Sequence, residues 1–137
     1  MSCGCMNSVN RNVFSGIDLC REGISDCCNG LKSIQQNNIR NGTDRIRNGI
    51  FKCSQGLSII RKVTSGAKNC NSSLTRQLRK CCQELNNIRF GRRDIIRNNV
   101  ENGATDVNLA VCSLGQLIEQ INSDFENINT DCCNNCQ

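Results

Sequence analysis

Apolar residues recur along the chain at alternating spacings of three and four residues, the pattern of helices that bury one face. Four such stripes run from Val13 to Ile34, Ile46 to Ile60, Leu74 to Ile95 and Val107 to Ile128. They predict an all-α protein with helices near residues 8–37, 43–66, 72–100 and 105–131. Because short connections between long helices favour antiparallel neighbours, we expect one domain over residues 1–137, folded as an up-down-up-down four-helix bundle.

The predicted breaks lie where glycine meets capping residues: Asn-Gly-Thr-Asp at 41–44, residues 65–73, and Asn-Gly-Ala-Thr-Asp at 102–106. In each, glycine can end a helix and a Ser, Thr, Asn or Asp can begin the next. The second and third stripes share a heptad phase, which would also fit one continuous helix, but Gly66 and the polar residues after it favour a break. Residues 1–7 and 132–137 are expected to be flexible, cysteine-rich tails.

Glycines are also spaced seven apart inside the first two predicted helices. Gly16, Gly23 and Gly30 form one row, and Gly42, Gly49 and Gly56 form the other. A glycine inside a helix costs roughly 1 kcal/mol relative to alanine, so rows of them are expected to have a compensating use. We predict that the two helices pack closely along these rows, because a missing side chain lets two backbones approach.

The thirteen cysteines divide into two classes by position. Those on the apolar stripes are expected in the core, where cysteine acts as a small apolar residue: Cys20, Cys27, Cys53, Cys81 and Cys112. The remainder lie off the stripes or near the termini, where thiols are normally avoided because they cross-link. They are candidates for disulfides between subunits: Cys3, Cys5, Cys28, Cys70, Cys82, Cys132, Cys133 and Cys136.

The amino-acid composition excludes most catalytic mechanisms. The chain has no His, Tyr, Trp or Pro, and it carries neither a phosphate-binding glycine loop nor a nucleophile motif. We therefore expect no enzyme activity, no catalytic residues, no bound cofactor or metal, and no small-molecule substrate. The N-terminus lacks a signal-peptide core and the chain has no apolar run of about 18 residues, so synthesis in the cytosol and no membrane contact are expected.

The net charge of +5 is unevenly distributed along the chain. Predicted helix 72–100 carries seven Lys and Arg against two acidic residues, whereas 105–131 carries five acidic residues and no basic one. Such opposed faces can attract within a subunit or between subunits, or can simply be solvated. The arginines lack the interleaved aromatic residues of a nucleic-acid surface, so no nucleic-acid partner is expected.

A thiolate metal store is the alternative function. Soft sulfur ligands suit copper(I), and Cys133 and Cys136 have a zinc-like spacing. The copper-storage bundles, however, fill their interior with cysteines, often at i, i+4, and include some histidine, whereas this sequence has Cys132 and Cys136 as its one pair at i, i+4, has no histidine, and builds its stripes mainly from Ile, Leu and Val.

The motifs Cys3-Gly4-Cys5, Cys27-Cys28, Cys81-Cys82 and Cys132-Cys133-Asn134-Asn135-Cys136 resemble those of the cysteine-rich coat and exosporium morphogenetic proteins of spore-forming bacteria. The asparagine-rich composition suits a clostridial member. The best-known Bacillus members are richer in β-structure, so the resemblance concerns role more than fold. It implies synthesis in the mother-cell cytosol and assembly of the chain with itself, and with other spore-layer proteins, into a disulfide-locked lattice at the spore surface.

Overall fold

The protein is a four-helix bundle. The computed structural model describes residues 4–66 and 72–135, and the side chains of residues 11–63 and 73–127. The helices are α1 (Gly4–Gln35), α2 (Ile39–Gly66), α3 (Ser72–Ile96) and α4 (Val100–Asn135). Each packs antiparallel on its chain neighbour, and α1 also packs on α4, which closes the ring of four. The predicted all-α up-down-up-down architecture is confirmed.

The four apolar stripes meet in one core. Most of their described side chains are buried, with Ile24 and Leu31 half-buried, because each stripe faces the bundle axis while the polar residues between its members face solvent. The largest fully buried side chains are Phe125, Ile17, Ile46, Ile60, Leu74, Ile88, Ile95, Leu114, Ile118 and Ile121. Burial of these stripes is what holds the helices together, at about 25 cal/mol per Å² of apolar surface.

Two of the predicted breaks are wrong in position. Residues 41–44 and 102–106 lie inside α2 and α4, and the turns occur at residues 36–38 and 97–99. In the first turn Asn37 has a φ of 65°, its N–H donates to Ile34 O, and Asn38 N–H donates to Ser33 O. This left-handed asparagine and its two hydrogen bonds end the helix in the way glycine usually does.

The second turn repeats the first. Asn98 has a φ of 71°, its N–H donates to Ile95 O, and Asn99 N–H donates to Asp94 O. Gly42 and Gly103 each follow the left-handed asparagine by five residues, which places them in the first turns of α2 and α4. Glycine at these two helical positions permits close packing against Gly30 and Gly91 of the facing helices. The Asn-Gly pairs therefore do not mark helix ends.

The glycine rows of α1 and α2 face each other, as predicted from their spacing. Gly16 lies opposite Gly56, Gly23 opposite Gly49, and Gly30 opposite Gly42; together these six residues form the glycine ladder. A Cβ at Gly30 would lie 2.6 Å from Gly42 O, which is closer than real Cβ contacts allow. The ladder therefore brings the two backbones into direct contact. In α3 and α4 the corresponding contact is the single pair Gly91 and Gly103.

The outer helices extend beyond their predicted limits. Residues 4–7 belong to α1 and residues 132–135 to α4, so these parts of the predicted tails are helical. No proline interrupts the chain, and adding a residue to an existing helix costs little. Among the described residues, no helix combines the length and hydropathy needed to cross a membrane.

Candidate functional site: surface thiols and an apolar patch

Four of the predicted core cysteines, Cys20, Cys27, Cys53 and Cys81, are fully buried. The Cys20 thiol donates to Cys53 O at 3.7 Å, and the Cys53 thiol donates back to Cys20 O at 3.5 Å. The Cys27 thiol donates to Ile46 O at 3.8 Å. These reciprocal contacts cross the α1–α2 seam beside the glycine ladder, so the thiols act as small side chains whose weak donors are satisfied.

Burial keeps these four thiols protonated. Desolvation is the main cause that raises the pKa of Cys53 and of Cys81 to about 12, and it raises the pKa of Cys20 and Cys27 further. Because the thiolate is the nucleophile in disulfide exchange, buried neutral thiols are poor cross-linking groups. Their position and protonation fit a structural role.

The prediction that Cys112 lies in the core is wrong. The buried position on this turn of α4 is taken by Val111, and Cys112, rotated by about 100° around the helix, is exposed. Cys28 is also exposed and Cys82 is half-buried. Each of the two follows a buried cysteine, Cys27 or Cys81, so these two Cys-Cys pairs each have one inward and one outward thiol.

The surroundings of the outward thiols differ. Cys82 lies in a groove between α2 and α3, where Arg61 Nη2 donates to its sulfur at 2.7 Å. Cys28 and Cys112 line one groove between α1 and α4. All seven cysteines with described side chains are free thiols. The other candidates have side chains outside the described residues: Cys3, Cys5, Cys70, Cys132, Cys133 and Cys136.

An exposed apolar patch, which the hydrophobic pattern of the sequence did not predict, lies on the α3–α4 face. It consists of Phe90 and Leu109, which are 56% and 62% exposed and line one pocket of about 420 Å³. Arg93 covers one side of it, with its guanidinium carbon 5.7 Å from the Phe90 ring centroid. Both residues are two positions past a core residue, and large apolar side chains at such off-stripe positions are the signal that could have found the patch.

Charged residues join the helices at their outer edges. Arg21 of α1 donates to both carboxylate oxygens of Glu119 of α4, at 2.7 and 2.8 Å, and this lowers the pKa of Glu119. Lys52 of α2 pairs with Asp26 of α1 at 2.9 Å. Arg92 of α3 donates to the backbone oxygen of Thr43 at 2.9 Å. Because these contacts are partly solvated, they orient the helices more than they stabilise them.

Within the described residues, no three Cys, Asp or Glu side chains are grouped so that they could hold one metal ion. Comparisons with protein-family models, with curated proteins and with solved structures find no match for this chain.

Proposed function

We propose that this protein is a structural subunit that associates with copies of itself into an ordered layer, cross-linked by disulfides, at the surface of a bacterial spore. The observation that carries the proposal is the division of the cysteines: four thiols are buried and neutral, and three of these are hydrogen-bonded, whereas Cys28 and Cys112 are exposed and Cys82 is half-buried in a surface groove. The spore location rests on the resemblance of the cysteine motifs alone.

The α3–α4 face is suited to contact with a second copy. Its centre is the patch of Phe90 and Leu109, and burying two such side chains contributes about 1.5–3 kcal/mol each. The patch lies between a basic helix, α3, and an acidic helix, α4. A two-fold axis through it and parallel to the helices would place α3 of one copy against α4 of the other, so opposite charges would meet on both sides.

Outward thiols can then lock contacts between copies. Cys28 and Cys82 are the candidates with described side chains, and the terminal cysteines and Cys70 are further candidates. Cross-linking oxidises two thiols to one disulfide and passes two electrons and two protons to an oxidant, so assembly would strengthen when the mother cell gives way to an oxidising environment. Other spore-layer proteins with exposed thiols could join the same network.

The test compares association with and without reductant. In reductant, sedimentation velocity should show dimers formed by the apolar contact alone, and Phe90→Ser with Leu109→Ser should convert them to monomers. Without reductant, negative-stain microscopy should show ordered assemblies. Phe51→Ser is the matched control, because Phe51 is 62% exposed but lies on α2, away from the patch. Without reductant, gels should show ladders that collapse when reductant is added.

A monomer under both conditions, with no ordered assemblies, would overturn the proposal. If that monomer also took up several copper(I) ions per chain in a titration, the thiolate metal store would replace it.

A further inference from the structure

The contacts between α1 and α4 place two outward thiols opposite each other. Arg21 and Glu119 form a two-point ion pair across this antiparallel seam. One heptad further along α1 is Cys28, and one heptad back along α4 is Cys112. In antiparallel helices these equal and opposite steps preserve the pairing, so Cys28 faces Cys112 in the register that the ion pair fixes.

The space between the two thiols is open. Cys28 and Cys112 are both exposed and both line a groove of about 780 Å³, with Gly115 between the cysteine and the glutamate of α4. A Cβ at Gly115 would meet no described atom within 4 Å. Burial raises the pKa of Cys28, and charge repulsion from Cys112 raises it further.

The geometry points to a redox-active dithiol, in which Cys28 and Cys112 form an intramolecular disulfide by exchange with a small-molecule disulfide. One cysteine thiolate attacks a sulfur of the small disulfide, forms a mixed disulfide and releases one thiolate. The second cysteine thiolate attacks the protein sulfur of that mixed disulfide and releases the other. The two protein protons go to the two released thiolates, so two protein thiols are oxidised and one small disulfide is reduced.

This disulfide would tie the first helix to the last. α1 and α4 are not consecutive in the chain, so the bond would close the ring of four helices covalently. It would also remove Cys28 from the thiols available to other chains. The inference stands independently of self-association, since it needs only the α1–α4 seam of one subunit.

Peptide mapping of the full chain tests the assignment. Reduced protein is freed of reductant, exposed to oxidised glutathione, alkylated in acid and digested with trypsin and a Glu-specific protease. The expected product is peptide 23–32 linked to peptide 102–119, whose sole cysteine is Cys112. Fragmentation between Cys27 and Cys28 should place the link on Cys28.

Isotope mixing separates a bond within one chain from a bond between chains. In an equal mixture of ¹⁴N and ¹⁵N protein, the linked peptides should be either wholly light or wholly heavy. Cys112→Ser should convert the product into a glutathione adduct on Cys28, and Cys28→Ser should do the same for Cys112. Cys82→Ser, which alters an outward thiol in a different groove, should leave the linked peptides unchanged.

Two results would overturn the inference. One is wild-type protein in which Cys28 and Cys112 each carry glutathione without linkage. The other is linked peptides of mixed isotope content, which would make the bond intermolecular. Neither result depends on whether ordered sheets form, so this experiment and the test of the ordered layer can succeed or fail independently.

Discussion

Replacing Gly23 with alanine adds one methyl group at the centre of the glycine ladder. Its Cβ would lie 2.5 Å from Gly49 O, 2.6 Å from Cys53 Sγ and 2.9 Å from Cys53 N. Two of these three atoms belong to the α2 backbone and cannot rotate away. The methyl group can be accommodated only if α1 and α2 separate along the seam, which loosens the packing of the core residues on either side.

The magnitude follows from two opposing effects. Alanine favours the helix over glycine by about 1 kcal/mol. Overpacking a filled site costs about 1–3 kcal/mol, and more where backbone must move. Because the contacts here are made to backbone on the facing helix, we place the steric cost near 3 kcal/mol and expect Gly23→Ala to lower the free energy of unfolding by about 2 kcal/mol.

Gly115→Ala is the matched control. It is the same substitution in a helix of the same bundle, but its Cβ would meet no described atom within 4 Å. Only the helix preference should remain, so the free energy of unfolding should rise by about 1 kcal/mol.

The assay is urea unfolding followed by circular dichroism in the presence of reductant, so that no disulfide contributes. The two variants should shift the midpoint in opposite directions, with a difference of about 3 kcal/mol between them. The reasoning is refuted if Gly23→Ala is as stable as the parent protein, because the separation of α1 and α2 would then not be set by the missing side chains.

Three further substitutions or conditions test the turn, the buried thiols and the core. Asn37→Ala should lose about 1 kcal/mol in urea unfolding and Asn37→Gly should lose none, because only alanine is strained at a φ of 65°; equal stability of the two would count against the left-handed turn. Burial raises the pKa of Cys53 and Cys81 from 9.0 to about 12, so the folded state holds protons that the unfolded chain releases. The free energy of unfolding should be constant below about pH 9 and fall between pH 9 and 12, by up to about 1.4 kcal/mol per pH unit for each thiol; a flat profile, or one unchanged when both are alanine, would contradict this. Phe125→Ala should cost about 3–5 kcal/mol by thermal or urea unfolding, since Phe125 is 1% exposed, whereas Phe51→Ala should change stability by less than about 0.5 kcal/mol; similar losses for both would mean that Phe125 is not a core residue.

The fold was predictable because its determinants are periodic. A heptad stripe specifies which face of a helix is buried whatever its partner is, and the glycine rows specified which two helices approach most closely. The helix ends were harder to predict. An Asn-Gly pair can end a helix, and its glycine can also permit close packing of two helices. The local sequence at Asn41-Gly42 does not distinguish these two roles. The structure does, because Gly42 is matched by Gly30 across the seam.

The candidate site was predicted less well than the fold. A stripe can be read without knowing the neighbouring helices, but the partner of an outward side chain depends on which helices adjoin and in what register. Cys28 was therefore recognised as an outward thiol, whereas its position opposite Cys112 was not. Cys112 was misassigned because it directly follows the core residue Val111, and one residue is enough to move a side chain from the core to the surface of a helix.

The glycine ladder repeats every seven residues, so it does not by itself define a single alignment of α1 with α2. If α2 slid by one heptad, two of the three pairs would still form: Gly16 would meet Gly49, and Gly23 would meet Gly42. What selects the observed alignment is the three-residue turn at 36–38, which is too short to span a slipped hairpin. The ladder is compatible with more than one alignment of α1 and α2, and the short turn selects one of them. Lengthening the turn with a few flexible residues would give one chain two competing hairpins of nearly the same shape.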